Sequence, residues 1–136
     1  MNNHAELKTD NGIIGLTFGM IACEEFMRLQ LGKELNEVGS LNGHQAITEI
    51  IYSGAYNFCV VNRKPVPKLA DIADVVDGLY DNDEQVAQLN EACQVFQESR
   101  FGKEIPKIVD AKKKEVESLL KQTGLQLESV PTENLA

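Results

Sequence analysis

The sequence predicts an all-α domain, a compact bundle of about five helices around one central buried helix. The first observation behind this prediction is the stretch 41–61, which is apolar on almost every face. The second is that apolar residues recur three and four apart in the segments around it, the spacing of amphipathic helices. The third is length, since 136 residues suffice for one domain whose core needs no disulfide or metal.

The first sixteen residues are predicted to form a loose N-terminal arm. Asp10, Asn11 and Gly12 are a turn signal, and Ile13, Ile14 and Leu16 favour a short strand after it. Too little sequence precedes the turn to define a hairpin partner. We therefore expect the helical core domain to begin at residue 17 and to extend to residue 102.

Two helices are predicted in the first half of that core. Thr17 is the expected N-cap of a helix that runs to Leu31 and stops at Gly32. Ser40 is the expected cap of the central helix over residues 41–61. The polar residues within that helix exclude a membrane span, which needs about 20 nearly uninterrupted apolar residues.

Gly54 lies inside the predicted central helix, where glycine costs about 1 kcal/mol relative to alanine. We expect it to permit the close approach of a neighbouring helix. Pro65 and Pro67 end the central helix, because proline and the residue before it favour extended backbone.

Three more helices are expected after the prolines. A short one covers residues 69–80, with Asp71, Asp74 and Asp77 on its polar side. Asn82 and Gln85 form a possible capping box for the next, which is expected to end at Gly102. Residues 103–122 are predicted to be an amphipathic C-terminal helix, and residues 123–136 a disordered tail.

Charge and motifs restrict the function. The net charge is −8, and residues 1–100 carry 7 basic and 15 acidic side chains, which argues against nucleic acid and anionic membranes as partners. No glycine-rich phosphate loop, nucleophile elbow or His-Glu-x-x-His motif occurs. A calcium loop starting at Asp81 would have Val86 where glycine is required. We therefore expect a non-enzymatic protein without a metal or cofactor.

The three cysteines favour a reducing, cytoplasmic location. Cys23, Cys59 and Cys93 are odd in number and each lies among apolar residues, which is typical of buried free thiols. No N-terminal export signal is evident. A catalytic cysteine is the alternative that sequence distance alone leaves open.

The C-terminal helix is the predicted binding element, because it follows helices that already close a core. One interpretation is that its apolar stripe packs back on that core. The other is that the stripe binds a partner, either a helix of another protein or a second copy of the chain, and the sequence favours neither interpretation. Under the binding reading, the contact residues are Phe101, Ile105, Ile108, Val109, Val116, Leu119 and Leu120.

Three segments carry a family resemblance. Leu16-Thr17-Phe18-Gly19-Met20, Ile51-Tyr52-Ser53-Gly54-Ala55 and the stretch from Leu69 to Asp77 resemble the tail assembly chaperones of long-tailed bacteriophages and prophages. The similarity covers roughly residues 13–100. It implies a small helical protein, made in the bacterial host cell, that keeps the tape-measure protein soluble while tail-tube subunits polymerise around it.

Two functional hypotheses follow. The first, implied by the resemblance, is a tail assembly chaperone that binds the tape-measure protein, has the tail tube protein as a further candidate partner and forms homo-oligomers. The second, drawn from the acidic residues, is a regulatory or adaptor module that binds a basic protein partner.

Overall fold

The structure is predominantly α-helical and begins with a two-stranded antiparallel sheet. It is a computed structural model that describes residues 3–31, 33 and 43–122. The chain divides into two compact units, Met1–Ile105 and Pro106–Ala136. The described elements are β1 (His4–Thr9), β2 (Gly12–Thr17), α1 (Met20–Leu29), α2 (His44–Val61), α3 (Leu69–Leu79), α4 (Asp83–Glu98), a 3-10 turn (Gly102–Glu104) and α5 (Ile105–Gln122).

The N-terminus is a β-hairpin, so the predicted loose arm over residues 1–16 is wrong and the fold is not purely all-α. Strands β1 and β2 pair with Leu7 opposite Ile14. The turn is closed by the Thr9 hydroxyl, which donates to the Gly12 carbonyl at 2.7 Å, and Gly12 takes a φ of 129°. The strands are short, but Leu7 and Leu16 are fully buried, and this tertiary burial stabilises a hairpin that is marginal alone.

Helix α1 begins later than predicted, because Thr17 ends β2 and does not cap the helix. The N-cap residue is Gly19, which has no side chain to offer. Asn57 of α2 takes that role: its Oδ1 accepts from the backbone N–H groups of Gly19 at 2.9 Å and Ala22 at 3.1 Å. Asn57 is itself buried, so a core side chain of α2 provides the acceptor that the first N–H groups of α1 lack within their own helix.

Helix α2 is the central element, as the sequence predicts for residues 41–61, although residues 41 and 42 lie outside the described residues. Ten of its residues are buried, and it contacts α1, β2, α3 and α4. The core around it includes Phe18, Phe26 and Phe96; the centroid of the Phe96 ring lies 5.4 Å from that of Phe18 and 5.3 Å from that of Phe26. Offset and tilted rings at such distances are favourable beyond the area that they bury.

The close approach at Gly54 is confirmed, but the neighbour is the hairpin and not another helix. A Cβ atom at Gly54 would lie 2.5 Å from the Phe18 ring and 3.2 Å from Leu16 Cβ. At Gly15 the glycine is in the hairpin and the ring is in α2: a Cβ atom there would lie 2.5 Å from the ring of Phe58. The hairpin therefore packs on α2 through two glycine–phenylalanine contacts.

The start of α4 is as predicted, and its end is not. The Asn82 side chain accepts from the Gln85 N–H at 2.9 Å, which confirms the cap. The helix ends at Glu98, four residues before the predicted stop at Gly102, and Ser99 is its C-cap. The predicted stop at Gly32, the cap at Ser40 and the tail over 123–136 lie outside the described residues.

Candidate protein-binding surfaces

The predicted contact residues of α5 divide into buried and exposed members. Ile105 is fully buried within the first compact unit, and Val109 is buried as well. Side chains buried to this extent offer little surface to a partner, so the predicted contact set rests on its more exposed members. Phe101 and Leu120 are half-buried. The three exposed members are Ile108, Val116 and Leu119, at 41%, 38% and 56%.

The exposed members lie near one another along the helix. Ile108 and Val116 are eight residues apart, and Leu119 follows three residues later, so all three lie within a limited sector of the α-helical surface. We call this sector, defined by Ile108, Val116 and Leu119, the α5 stripe. Most of the residues between them are charged.

Two hydrogen bonds of Ser99 define the backbone conformation where the chain leaves α4. The Ser99 hydroxyl donates to the Phe96 carbonyl at 2.6 Å and accepts from the Gly102 N–H at 3.0 Å. A Cβ atom at residue 102 would overlap that same carbonyl oxygen of Phe96. Glycine is therefore required at this position by the lack of space, since its φ is not positive.

A second candidate surface lies between the hairpin turn and α3. It is an open groove of about 510 Å³ within the first compact unit. We call it the hairpin–α3 groove; it is lined by residues 9–14 of the hairpin, by Asp74, Val75, Gly78 and Leu79 of α3, and by Asp81, Asn82 and Gln85 at the start of α4.

The groove combines apolar lining with negative charge. Ile13, at 61% exposure, and Val75 contribute apolar surface. Asp10, Asp74 and Asp81 contribute the charge, and no lysine, arginine or histidine is among its lining residues. Such a surface is complementary to a segment that carries both apolar and basic side chains.

The hairpin side of the groove is fixed by α4. The side-chain amide of Gln88 accepts from the Lys8 N–H at 2.9 Å and donates to the Lys8 carbonyl at 3.2 Å. It therefore satisfies both backbone groups of one residue of β1, in the manner of a neighbouring strand. This contact places the turn beside α3 and covers part of an edge that is otherwise open to pairing.

Gly78 marks the α3 side of the groove. It is exposed, lies in the last turn of α3 with a φ that is not positive, and has nothing within 4 Å of the position where a Cβ would be. Every other described glycine either has a positive φ or has a neighbour within 4 Å of that position. Neither conformation nor packing within the chain therefore requires glycine at residue 78.

Two of the thiols, those of Cys23 and Cys93, have a raised pKa. Burial raises the pKa of the Cys93 thiol from 9.0 to about 11. Burial, and to a smaller extent the charge of Glu24, raises the pKa of Cys23 as well. Catalytic cysteines show the opposite shift, because the thiolate is the nucleophile. All three cysteines are free, although only Cys93 is buried and the other two are half-buried.

The buried acids in the described residues are paired. Glu25 forms an ion pair with Arg28, whose pKa this hydrogen bond raises. Glu49 accepts from Lys33 Nζ at 2.6 Å and from Gln30 Nε2 at 3.4 Å. Each buried carboxylate is thus paired with a basic side chain, as a buried charge requires. We interpret these pairs as part of the fold and not as a functional site. Within the described ranges, no three or more His, Cys, Asp or Glu side chains are grouped to hold a metal ion.

With this geometry established, the chain was compared with known proteins. No family model, curated protein or solved structure matches it. Among the described helices, none is both long and apolar enough to cross a membrane.

The hairpin–α3 groove was not predicted from the sequence, although its parts were visible there. Asp10, Asn11 and Gly12 are a turn signal, with apolar residues after it and few before it. The sequence also places Asp74 on the polar side of α3. The sequence does not indicate where the turn lies relative to α3. That position depends on the contact between residues 8 and 88, which forms only in the tertiary fold.

Proposed function

We propose that this chain is a tail assembly chaperone of a bacteriophage or prophage. In this role it binds apolar helical segments of the tape-measure protein and keeps them soluble in the cytoplasm of the host cell during tail tube assembly. It acts without catalysis or cofactor. The tail tube protein is a possible second partner.

The packing of the resembling segments supports the proposal. Leu16 and Phe18 belong to the first segment and Gly54 to the second, and these residues pack directly on one another. In the third segment, Ile72 and Val76 are buried while the aspartates are exposed. The residues that carry the resemblance are thus the residues on which the first unit is built.

The observation that carries the proposed activity is the α5 stripe. A chaperone for a long helical client must offer apolar surface that binds reversibly while the molecule itself stays soluble. The stripe offers large apolar side chains on a helix that is otherwise mostly charged. A client helix packed along it would bury apolar area on both sides, at about 25 cal/mol per Å².

Co-expression with fragments of a candidate tape-measure protein tests the proposal. Soluble complex is measured by size-exclusion chromatography with light scattering at low and high salt. The variant with Ile108→Ser and Val116→Ser should lower client affinity about tenfold or more, because two apolar anchors are lost. The wild-type complex should persist at high salt, since apolar contacts are not screened.

Val61→Ser is the matched control, since Val61 is 62% exposed and lies in α2, away from the α5 stripe in sequence. It removes the same side chain as Val116→Ser and should leave the complex intact. Equal solubilisation by the double variant would remove the stripe as the binding site. Failure of the wild-type chain to retain any fragment would overturn the chaperone function.

A second candidate function is favoured by the charge of the hairpin–α3 groove. An acidic adaptor would use Asp10, Asp74 and Asp81 to bind a basic protein surface. Its complexes should weaken strongly between low and high salt, because exposed charges are screened beyond about 10 Å at 0.1 M salt. The salt series of the same experiment therefore separates the two functions.

A further inference from the structure

We infer that the hairpin–α3 groove binds helix α5 of a second copy of this chain. The inference does not depend on the identity of the client. It gives a role to the groove, which the proposed chaperone activity does not use, and it implies that self-association and client binding compete for Ile108 and Val116 of α5.

Gly78 indicates that something occupies the groove. Glycine near the end of a helix destabilises it relative to alanine by up to about 1 kcal/mol. At Gly102, Gly54 and Gly15 the structure explains that cost by close contacts, but at Gly78 the space above the backbone is open. An occupant that approaches the α3 backbone closely supplies the missing explanation. Ile13 beside it leaves 61% of its surface exposed, which the same occupant would cover.

Charge identifies the occupant. The groove holds three aspartates and no basic residue. Of the described α-helices, α5 is the one in which basic residues outnumber acidic ones, with five lysines against three acids. Three of those lysines are consecutive, from Lys112 to Lys114. Opposite charge therefore brings α5 and the groove together before any apolar contact forms.

The apolar parts match as well. Ile108 and Val116 are exposed on α5, and the volume of about 510 Å³ is within the range of sites that enclose several side chains. Because α5 belongs to a compact unit separate from the one that contains the groove, each copy carries both halves of the contact. The contact is heterologous, with a different surface on each partner.

One substitution can block the groove. Gly78→Trp adds a large ring at a position where a Cβ atom has nothing within 4 Å. Gly78→Ala is the graded variant, since its single methyl group occupies only the space next to the α3 backbone. On the other side of the contact, the double substitution Ile108→Asp and Val116→Asp removes the exposed apolar side chains with which α5 would bind the groove.

Sedimentation velocity on the full-length chain, over a range of concentrations and at low and high salt, measures the association. The wild type should associate, Gly78→Ala should weaken association to a smaller extent, and Gly78→Trp should weaken it about tenfold or more. Asp74→Lys, on an exposed side chain, should weaken it most at low salt and provides a second test should the tryptophan variant misfold.

A mixing experiment separates this contact from any other interface. The Gly78→Trp chain retains a working α5, and the α5 double variant retains a working groove. Each alone should be monomeric, whereas an equimolar mixture should form a heterodimer. A monomeric wild type, unchanged association of a folded Gly78→Trp chain, or a mixture that stays monomeric would each overturn the inference. All of these results are obtained without client, so they leave the chaperone function to its own test.

Discussion

At the scale of single residues, two glycines in this chain have opposite reasons for being glycine. Gly102 has no room for a side chain, because a Cβ there would overlap the Phe96 carbonyl oxygen. Gly102→Ala should therefore lower the free energy of unfolding by about 2 kcal/mol, the usual cost of forcing atoms into a packed site. Equilibrium unfolding in urea measures the change.

Gly78→Ala is the control for this measurement and should change stability in the other direction. It adds the same methyl group in open space within a helix, so the free energy of unfolding should rise by about 0.5–1 kcal/mol. Destabilisation by both substitutions to a similar extent would contradict the steric explanation of Gly102.

Cys93 makes stability depend on alkaline pH. Burial raises the pKa of its thiol to about 11 in the folded chain, while the unfolded chain ionises near 9.0. Between these values the unfolded state has lost the proton that the folded state keeps, so the stability present below pH 9 is lost progressively up to about pH 11. The loss should be about 2 kcal/mol, measured by urea unfolding at several pH values.

Cys93→Ala should reduce this alkaline loss, and comparison of the two proteins removes the contribution of Tyr52, whose pKa does not depend on Cys93. Burial raises the pKa of Tyr52 and Tyr80 too, which adds a loss in the same direction at higher pH. Identical pH profiles for the wild type and Cys93→Ala would show that the thiol does not titrate with unfolding.

At the scale of elements, one side chain of α4 forms hydrogen bonds with the backbone of the hairpin. Gln88 bonds both backbone groups of Lys8, so Gln88→Ala should free the β1 edge without removing any buried apolar residue. We expect the Lys8 amide to exchange its hydrogen about tenfold faster, which hydrogen exchange by NMR measures, while global stability falls by only about 0.5–1 kcal/mol.

Gln94→Ala is the matched control, because Gln94 lies on the same helix and bonds only to Glu98 one turn away. It should leave exchange at Lys8 unchanged. Equal protection of Lys8 in the Gln88 variant would mean that strand pairing alone fixes β1.

At the scale of the whole molecule, the helices were predictable and the hairpin was not. Each helix carries its own pattern of apolar residues, and local caps such as Asn82 are visible within four residues of sequence. The hairpin is stabilised by Gln88 and by the packing of Gly15 on Phe58, which lie far away in the chain. No local pattern contains those contacts.

The candidate surfaces too were predictable where they depend on local sequence and not where they depend on tertiary contacts. The α5 stripe was predicted from its periodicity, yet periodicity could not show that Ile105 belongs to the core, since a buried and an exposed member of a stripe have the same spacing. The hairpin–α3 groove needs the turn and α3 side by side. Its aspartates and Ile13 come from segments about 60 residues apart, so only the fold brings them together.

The two glycine–phenylalanine contacts between hairpin and α2 have a consequence for how this sequence can change over time. Each ring fits only because the opposing residue lacks a side chain, as at Gly54 against Phe18 and at Gly15 against Phe58. A larger residue at either glycine therefore requires a smaller one at its partner. In descendants of this sequence, positions 54 and 18 should be inherited as one compensating pair, and positions 15 and 58 as another.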